Sequence, residues 1–319
     1  MKKFFLGHHH VRSVSAANAF ALVLVLALLG APAYLSPYHR ALALALLADV
    51  ALAVSWAFFS GPTRYLSLAT GAFFGAGAYT TAVLGGSLAW PLPVLAGAMV
   101  GAGFALVVGV LALRLRGPYF AVFTFGLAEL AKHLVIWYET GFTGTVGRWI
   151  LAQPGQWTIY YTVLSLAGLA VATTFLLRRS RWGYALVGVG SDEERAETLG
   201  INTTLVKIGV FALSAAFMGA VGASMAPRWT YLDPNVFNPF VSFQVVIMVL
   251  LGGAHSIWGP VVGAVFIGLA SEILLLKFRY FYMFGLGLTL IAVVLALPSG
   301  LMGLAHYLRR HPKRPHATA

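Results

Sequence analysis

Residues 190–202 read GSDEERAETLGIN, and they hold four of the nine acidic residues of a 319-residue chain: Asp192, Glu193, Glu194 and Glu197. Almost everything around them is apolar. Sixty per cent of the chain is hydrophobic and nine per cent charged, where a soluble domain carries about a quarter charged residues. Such a surface cannot face water on all sides. Lipid is its main solvent, and the acidic stretch is one of the few pieces that must leave it. The chain has no cysteine, which excludes disulfides and thiolate metal sites. The formal charge of +12 does not point to nucleic acid. Its Lys and Arg are scattered between apolar runs and at the two ends, the pattern of cytoplasmic loops in a membrane protein.

A membrane-spanning helix needs about 20 apolar residues. On that scale ten segments are legible, near 19–35, 41–60, 66–84, 92–113, 119–138, 158–177, 204–225, 241–253, 258–276 and 280–297. The expected fold is all-α: a polytopic membrane protein of about ten membrane helices, some broken or re-entrant. The third segment is irregular, because LSLATGAFFGAGAYTT carries Gly71, Gly75 and Gly77. The eighth is short and stops at the Gly-rich LLGGAHSIWGP. Small residues at helical spacing recur in GAFFGAGA (71–78) and GAVFIGLA (263–270), a faint internal repeat of the kind that builds central paths in transporters.

Charge orders the loops. With the N-terminus inside, fifteen of the twenty-one basic residues fall on the inside, counting Lys207 at the inner edge of the seventh segment with the loops, and five outside (Arg40, Arg148, Arg228, Lys277 and Arg279), with Lys132 inside a span. This asymmetry predicts a multi-pass membrane protein with both termini cytoplasmic. Residues 1–18 form an N-terminal segment, 19–304 the membrane domain and 305–319 a basic tail suited to anionic lipid headgroups. The run AFALVLVLALLGAPAYL is long for a signal-peptide core of about 7–15 residues, so a retained first helix is expected. The HHH run at 8–10 is too short and isolated to read as a metal site.

The opening stretch lies in the longest inside loop, 178–203. It predicts a short helix with Ser191 or Asp192 as N-cap, carboxylates in the first turn where the helix dipole favours them, and Gly200 as the left-handed residue that ends it. A rigid acidic peg of that kind suits docking to a soluble partner; a plain solvated connector is the alternative. No Gly-x-x-x-x-Gly-Lys-Ser/Thr loop is present to grip a nucleotide. No acid, base, nucleophile or ligand set converges, so neither catalytic residues nor a metal site are expected. Ionisable residues within the spans are costly. Asp49 lies mid-span, and Glu129, Lys132 and His133 share a helix face at i, i+3 and i+4, where local pairing facing the bundle interior neutralises them. A stand-alone, ion-coupled secondary transporter is the rival reading of these charges. A path for a zwitterionic or amide solute needs free backbone groups at helix breaks and small hydroxyls. The candidates are Ser67, Thr70, Gly71, Gly75 and Tyr79 in the third segment, Thr124 in the fifth, and Gly252 and Gly253 in the eighth. For the glycines, close helix packing competes with solute contact.

Several blocks carry a resemblance. Glu194, Ala196 and Gly200 match the EAAxxxG loop of ABC importer permeases. RSRWGYAL (179–186) through AETLGINTTLVKIGVFALSAAFMGAVGA (196–223), LSLATGAFFGAGAYTTAVL (66–84), RLRGPYFAVFTFGLAEL (114–130), VLLGGAHSIWGPVVGA (249–264) and PSGLMGL (298–304) together resemble the LivM-type permeases of branched-chain amino acid ABC importers, over about residues 60–304. The resemblance implies a coupling role for Asp192, Glu193, Glu194, Ala196, Glu197 and Gly200. It also implies a homologous LivH-type permease, two ABC ATPases that use ATP and Mg, and a periplasmic solute-binding protein, with no cofactor on this chain. Branched-chain or other hydrophobic amino acids are the implied solutes, and urea, short amides and small organic acids the alternative. The chain departs from the pattern at Gly190, Tyr184 and Val187, where basic residues are usual, and at Arg195, where a small one is. TGTVG (143–147) stands for TGGxxG, and Ala69, Thr70 and Gly71 stand where a His follows LSLG. The first set bears on the ATPase partner, the second on the solute.

Overall fold

The computed structural model describes residues 28–115, 117–151, 154–254, 256–277, 284–285, 287–288, 291 and 300–303. The N-terminal segment with its His run, the first half of the first expected span, most of the tenth and the basic tail lie outside the described residues. The chain divides into two units, Met1–Leu44 and Ala45–Ala319. In the first, residues 28–34 are helical, and the Arg40 guanidinium donates to the Leu35 carbonyl at 3.3 Å. All that follows concerns the second, together with the helix α1 (Pro37–Thr63) that leads into it.

Seven helical segments among the described residues are long and apolar enough to cross a membrane. They are built on α1, α3 (Leu92–Ala112), α4 (Pro118–Tyr138), α5 (Gln156–Arg179), α8 (Thr203–Met225), α9 (Pro239–Gly252) and α10 (Gly259–Lys277). The third expected segment yields only α2 (Thr70–Leu84), 15 residues. At ~1.5 Å per residue it is too short for a hydrocarbon layer of about 30 Å. The reason lies just before it. Arg64 takes a left-handed φ of 60° and its N–H closes the last turn of α1 on the Ser60 carbonyl at 3.0 Å. Residues 64–69 then run without helix.

Glycine lets the central helices touch. Gly77 of α2, Gly97 and Gly101 of α3 and Gly219 of α8 meet backbone to backbone. A Cβ on Gly77 would overlap the Gly219 carbonyl, one on Gly219 the Gly97 carbonyl, and one on Gly101 would sit 2.6 Å from the Ala215 oxygen. Without a hydrophobic drive between helices in lipid, such close packing is the main cohesive term. The hairpin of α9 and α10 repeats the device, with Gly252 against Gly259 and Gly263 against Met248.

The polypeptide between α5 and α8 is more than a loop with one helical turn: it forms two helices, α6 (Arg181–Ser191) and α7 (Glu193–Thr198). At the other end of the bundle, β1 (Arg148–Trp149) pairs antiparallel with β2 (Tyr231–Leu232), so an otherwise helical unit carries one short ribbon. Residues 226–240, the connection after the seventh expected segment, turn partly inward. A 3-10 turn at Pro234–Phe237 buries Leu232 and Phe237, and the Phe237 ring occupies the space that a side chain on Gly75 would need.

Candidate functional site

The α6–α7 hook is built from its caps. Ser180 ends α5 and caps α6, its hydroxyl accepting from Gly183 N–H at 3.3 Å. α6 is two-faced: Gly183, Ala185, Leu186 and Val189 are buried, whereas Tyr184 and Val187 are 71% and 55% exposed. Gly190 presses on the end of α1, where any side chain would overlap the Pro62 carbonyl. An arginine, usual at this position in the resembled family, would push the hook off α1. α7 starts at Asp192, whose Oδ1 accepts from Arg195 N–H at 3.0 Å. It closes with two bonds, Ile201 N–H to the Ala196 carbonyl at 3.2 Å and Gly200 N–H to the Glu197 carbonyl at 2.9 Å, with Gly200 at φ 83°. That pair of bonds around a left-handed glycine is a Schellman closure.

The four acids do not act alike. Asp192 and Glu194 are exposed at the tip. Glu197 is exposed but accepts from the Thr203 hydroxyl at 2.7 Å. Glu193 turns inward, its carboxylate 13% exposed and paired with the Lys207 ammonium, while Tyr65 Oη donates to its other oxygen at 2.9 Å. Lys207 is only 3% exposed. Sequence reasoning counted it among loop cations, because a lysine at the first turns of a span reads the same from hydropathy whether it points to water or to a buried acid.

Around the helix break the predicted path residues gather, and the structure gives most of them a packing or capping task. Side chains from the bundle bond part of the non-helical backbone of 64–69 and the start of α2, as irregular backbone at membrane depth requires. Trp56 Nε1 donates to the Ser67 carbonyl at 2.8 Å, Leu68 N–H to Thr124 Oγ1 at 3.0 Å, and Gly71 N–H to Ser242 Oγ at 2.9 Å. Thr124 shares its own proton between the Phe120 and Ala121 carbonyls. Thr70 Oγ1 is fully buried with no hydrogen-bond partner among the described residues. A Cβ on Gly71 would lie 2.7 Å from the Asn238 oxygen, and one on Gly75 2.5 Å from the Phe237 ring. Tyr79 packs on Phe237 with ring centres 5.5 Å apart. Gly252 lies in the α9–α10 contact, away from these residues in sequence, and Gly253 ends α9 at φ 103°.

One cluster escaped the sequence reading. Glu139 follows α4 in a π-turn, Glu139–Thr143, and is 1% exposed. Its Oε2 accepts from Gly147 N–H at 2.6 Å and from Tyr79 Oη at 3.5 Å, and its Oε1 faces Arg148 Nε at 3.2 Å. The altered TGTVG block is the loop that wraps this carboxylate. A lone acid closing an apolar run, followed by glycines and an arginine, is the signal that would have found it. A second difference concerns α4. Glu129 and His133 do pair, at 3.8 Å, but they are 39% and 71% exposed rather than turned to the interior. The buried stripe of α4 runs through Phe120, Thr124, Leu127, Ala128 and Ala131, and the pair lies off it. On α1, Asp49 is half-buried beside Gly268, where a Cβ would come 3.2 Å from its Oδ2.

A bundle of apolar helices with one broken span, buried polar caps at the break and a structured hook at one end defines a multi-pass helical membrane protein. The comparisons agree. The chain belongs to the family described as the branched-chain amino acid transport system / permease component, whose model matches residues 39–294. It is similar to the high-affinity branched-chain amino acid transport system permease protein LivM of Salmonella typhimurium, 28% identical over 278 residues that cover 76% of this chain and 64% of the relative. LivM of Escherichia coli is 29% identical with the same coverage. The permease protein LivH of Salmonella typhimurium is 29% identical over 173 residues, 49% of this chain and 53% of that protein. The chain thus spans less than two-thirds of the length of these relatives. No solved structure matches it.

Proposed function

We propose that this chain is the membrane-spanning permease subunit of an ABC importer for branched-chain or other hydrophobic amino acids. It works in the inner membrane with both termini cytoplasmic. A homologous LivH-type permease, two ABC ATPases that bind ATP and Mg, and a periplasmic solute-binding protein complete the transporter. The hook carries the reading. Its fold is rigid, closed at Gly200 and pinned at Gly190, yet it presents Tyr184, Val187 and Leu199, the last 78% exposed, beside Asp192 and Glu194. Apolar side chains ringed by acids on a charged hook beside a membrane suit the cleft of a soluble protein better than water. α4 supports the second permease. Its span is the least buried of the seven, and charges near the middle of a membrane helix are not left in lipid, so a further polypeptide covers Glu129 and His133.

In the cycle, closure of the ATPases on nucleotide moves the hook, and the permease pair rocks to open the path around the helix break. Glu194→Lys and Gly200→Pro test the docking. Proline removes the Gly200 N–H and cannot adopt a positive φ, so the closure of α7 is lost. Each substitution is expected to reduce co-purification with the ATPases while membrane insertion is retained. Unchanged co-purification of both would refute the docking role. Ion-coupled uptake by the purified chain alone in liposomes would favour the secondary transporter instead.

A further inference from the structure

Lys207 joins four elements. It lies in the second turn of α8, and its ammonium donates to Glu193 of α7 and, at 3.1 Å, to the Leu113 carbonyl that follows α3. It also sits 5.2 Å from the centre of the Tyr65 ring. Tyr65 is the second residue of the non-helical run before α2 and donates its own proton to Glu193 at 2.9 Å. Both oxygens of Glu193 are therefore held by groups from different parts of the bundle, separated from it by 14 and 128 residues in sequence.

The chemistry of this knot is costly for a mere anchor. A buried ammonium and a largely buried carboxylate lose much of their hydration, and a leucine pair would fill the same space at no such cost. What a charge-assisted network adds is direction and stiffness, because in a low-dielectric setting its members cannot part without leaving a buried charge unpaired. The neighbouring acids Asp192, Glu194 and Glu197 are exposed, so the hook has separate surfaces for a partner and for the bundle. We infer that Glu193 is a positioning residue that ties the hook to α8 and to the helix break through Lys207 and Tyr65, so that hook and break move as one body during transport. From Tyr65 the tie continues along residues 64–69, which Trp56 and Thr124 hold, to Thr70 at the start of α2. A contiguous, packed network of this kind is the physical requirement for coupling between distant sites. The inference rests on the importer reading, since it needs a partner that moves the hook.

The test uses the full transporter, reconstituted with its ATPases and second permease. The chain has no cysteine, so Leu66→Cys and Thr198→Cys, both at exposed positions and neither among the docking residues, take spin labels cleanly. In the parent the label–label distance is expected to stay narrow and unchanged when ATP is bound. Glu193→Gln or Lys207→Met should broaden and shift that distance while ATPase co-purification stays at the parent level. With radiolabelled leucine as probe, solute moved per ATP hydrolysed should fall about five-fold or more, the lower end of ordinary coupling free energies. The charge-reversed double variant, Glu193→Lys with Lys207→Glu, should recover part of both, and it decides the matter if a single variant does not fold. A distance and coupling ratio unchanged in Glu193→Gln overturn the inference. So does loss of ATPase co-purification in Glu193→Gln, which would make Glu193 a docking contact. If the parent itself fails to bind any ATPase, the importer reading falls and the inference with it. If the parent assembles but does not carry leucine, only the solute class fails, and the distances still decide.

Discussion

Glu139 offers the most direct test of how the end of the bundle away from the hook is held. Replacing it with alanine removes the acceptor of a buried backbone N–H at Gly147, which costs about 1–3 kcal/mol when left unpaired. The partner guanidinium of Arg148 is 31% exposed, so its share is only about 1 kcal/mol or less. Tyr79 Oη, at 3.5 Å, is at the limit of bonding distance and adds little. The sum is about 1–4 kcal/mol for Glu139→Ala. Glu139→Gln keeps an oxygen for Gly147 and should lose roughly half as much. Because Arg148 and Glu139 share one network, the Glu139→Ala/Arg148→Ala double variant should cost less than the sum of the singles, by about 0.5–1 kcal/mol. Denaturation of the detergent-solubilised protein, followed by tryptophan fluorescence, gives these differences; Trp149 lies in the ribbon and Trp229 just before its second strand, and they should report its loss. Strict additivity, or a Glu139→Ala cost within error of zero, would show that the cluster does not hold the loop.

Three further outcomes follow from the packing. Thr124→Val strips the acceptor from Leu68 N–H and should cost about 1–3 kcal/mol and lower uptake, whereas Thr124→Ser should restore both; equal behaviour of the two variants in the same denaturation and uptake assays would contradict the capping role. Gly219→Ala places a methyl in the α3 backbone and should destabilise by about 1–3 kcal/mol or more, while Gly103→Ala, with nothing within 4 Å of the new carbon, should be neutral or gain up to about 1 kcal/mol; yield and melting in detergent separate them. Arg64→Gly relieves a left-handed conformation and should raise stability by up to about 1 kcal/mol; a drop in melting temperature would mean that the Arg64 side chain contributes more than its strained backbone costs.

The helix break shows how far reading from sequence reaches. Glycines at 71, 75 and 77 marked the third segment as irregular, and it is; but the break falls at 64–69, before those glycines. What the glycines do is admit Asn238, Phe237 and Gly219, residues from distant parts of the chain. Thr124, singled out for a hydroxyl suited to a solute path, caps the broken backbone instead. Its partner Leu68 lies 56 residues away, and no local pattern carries that distance.

Composition and the spacing of apolar runs determined by themselves that the solvent is lipid, that the fold is helical and multi-pass, and that the acidic stretch forms a capped turn of helix. These properties depend on each residue's affinity for water and on neighbours within a turn or two, and both are written in the local order of residues. Only the tertiary structure decided that Glu193 faces inward and Glu194 outward, that Lys207 is buried, that Glu139 organises the ribbon end, and that the Glu129–His133 pair lies on an exposed face. Each of those depends on which distant group arrives to share a charge or fill a space. Hydropathy records what a side chain needs, whereas the packing of helices far apart in the chain settles what it meets.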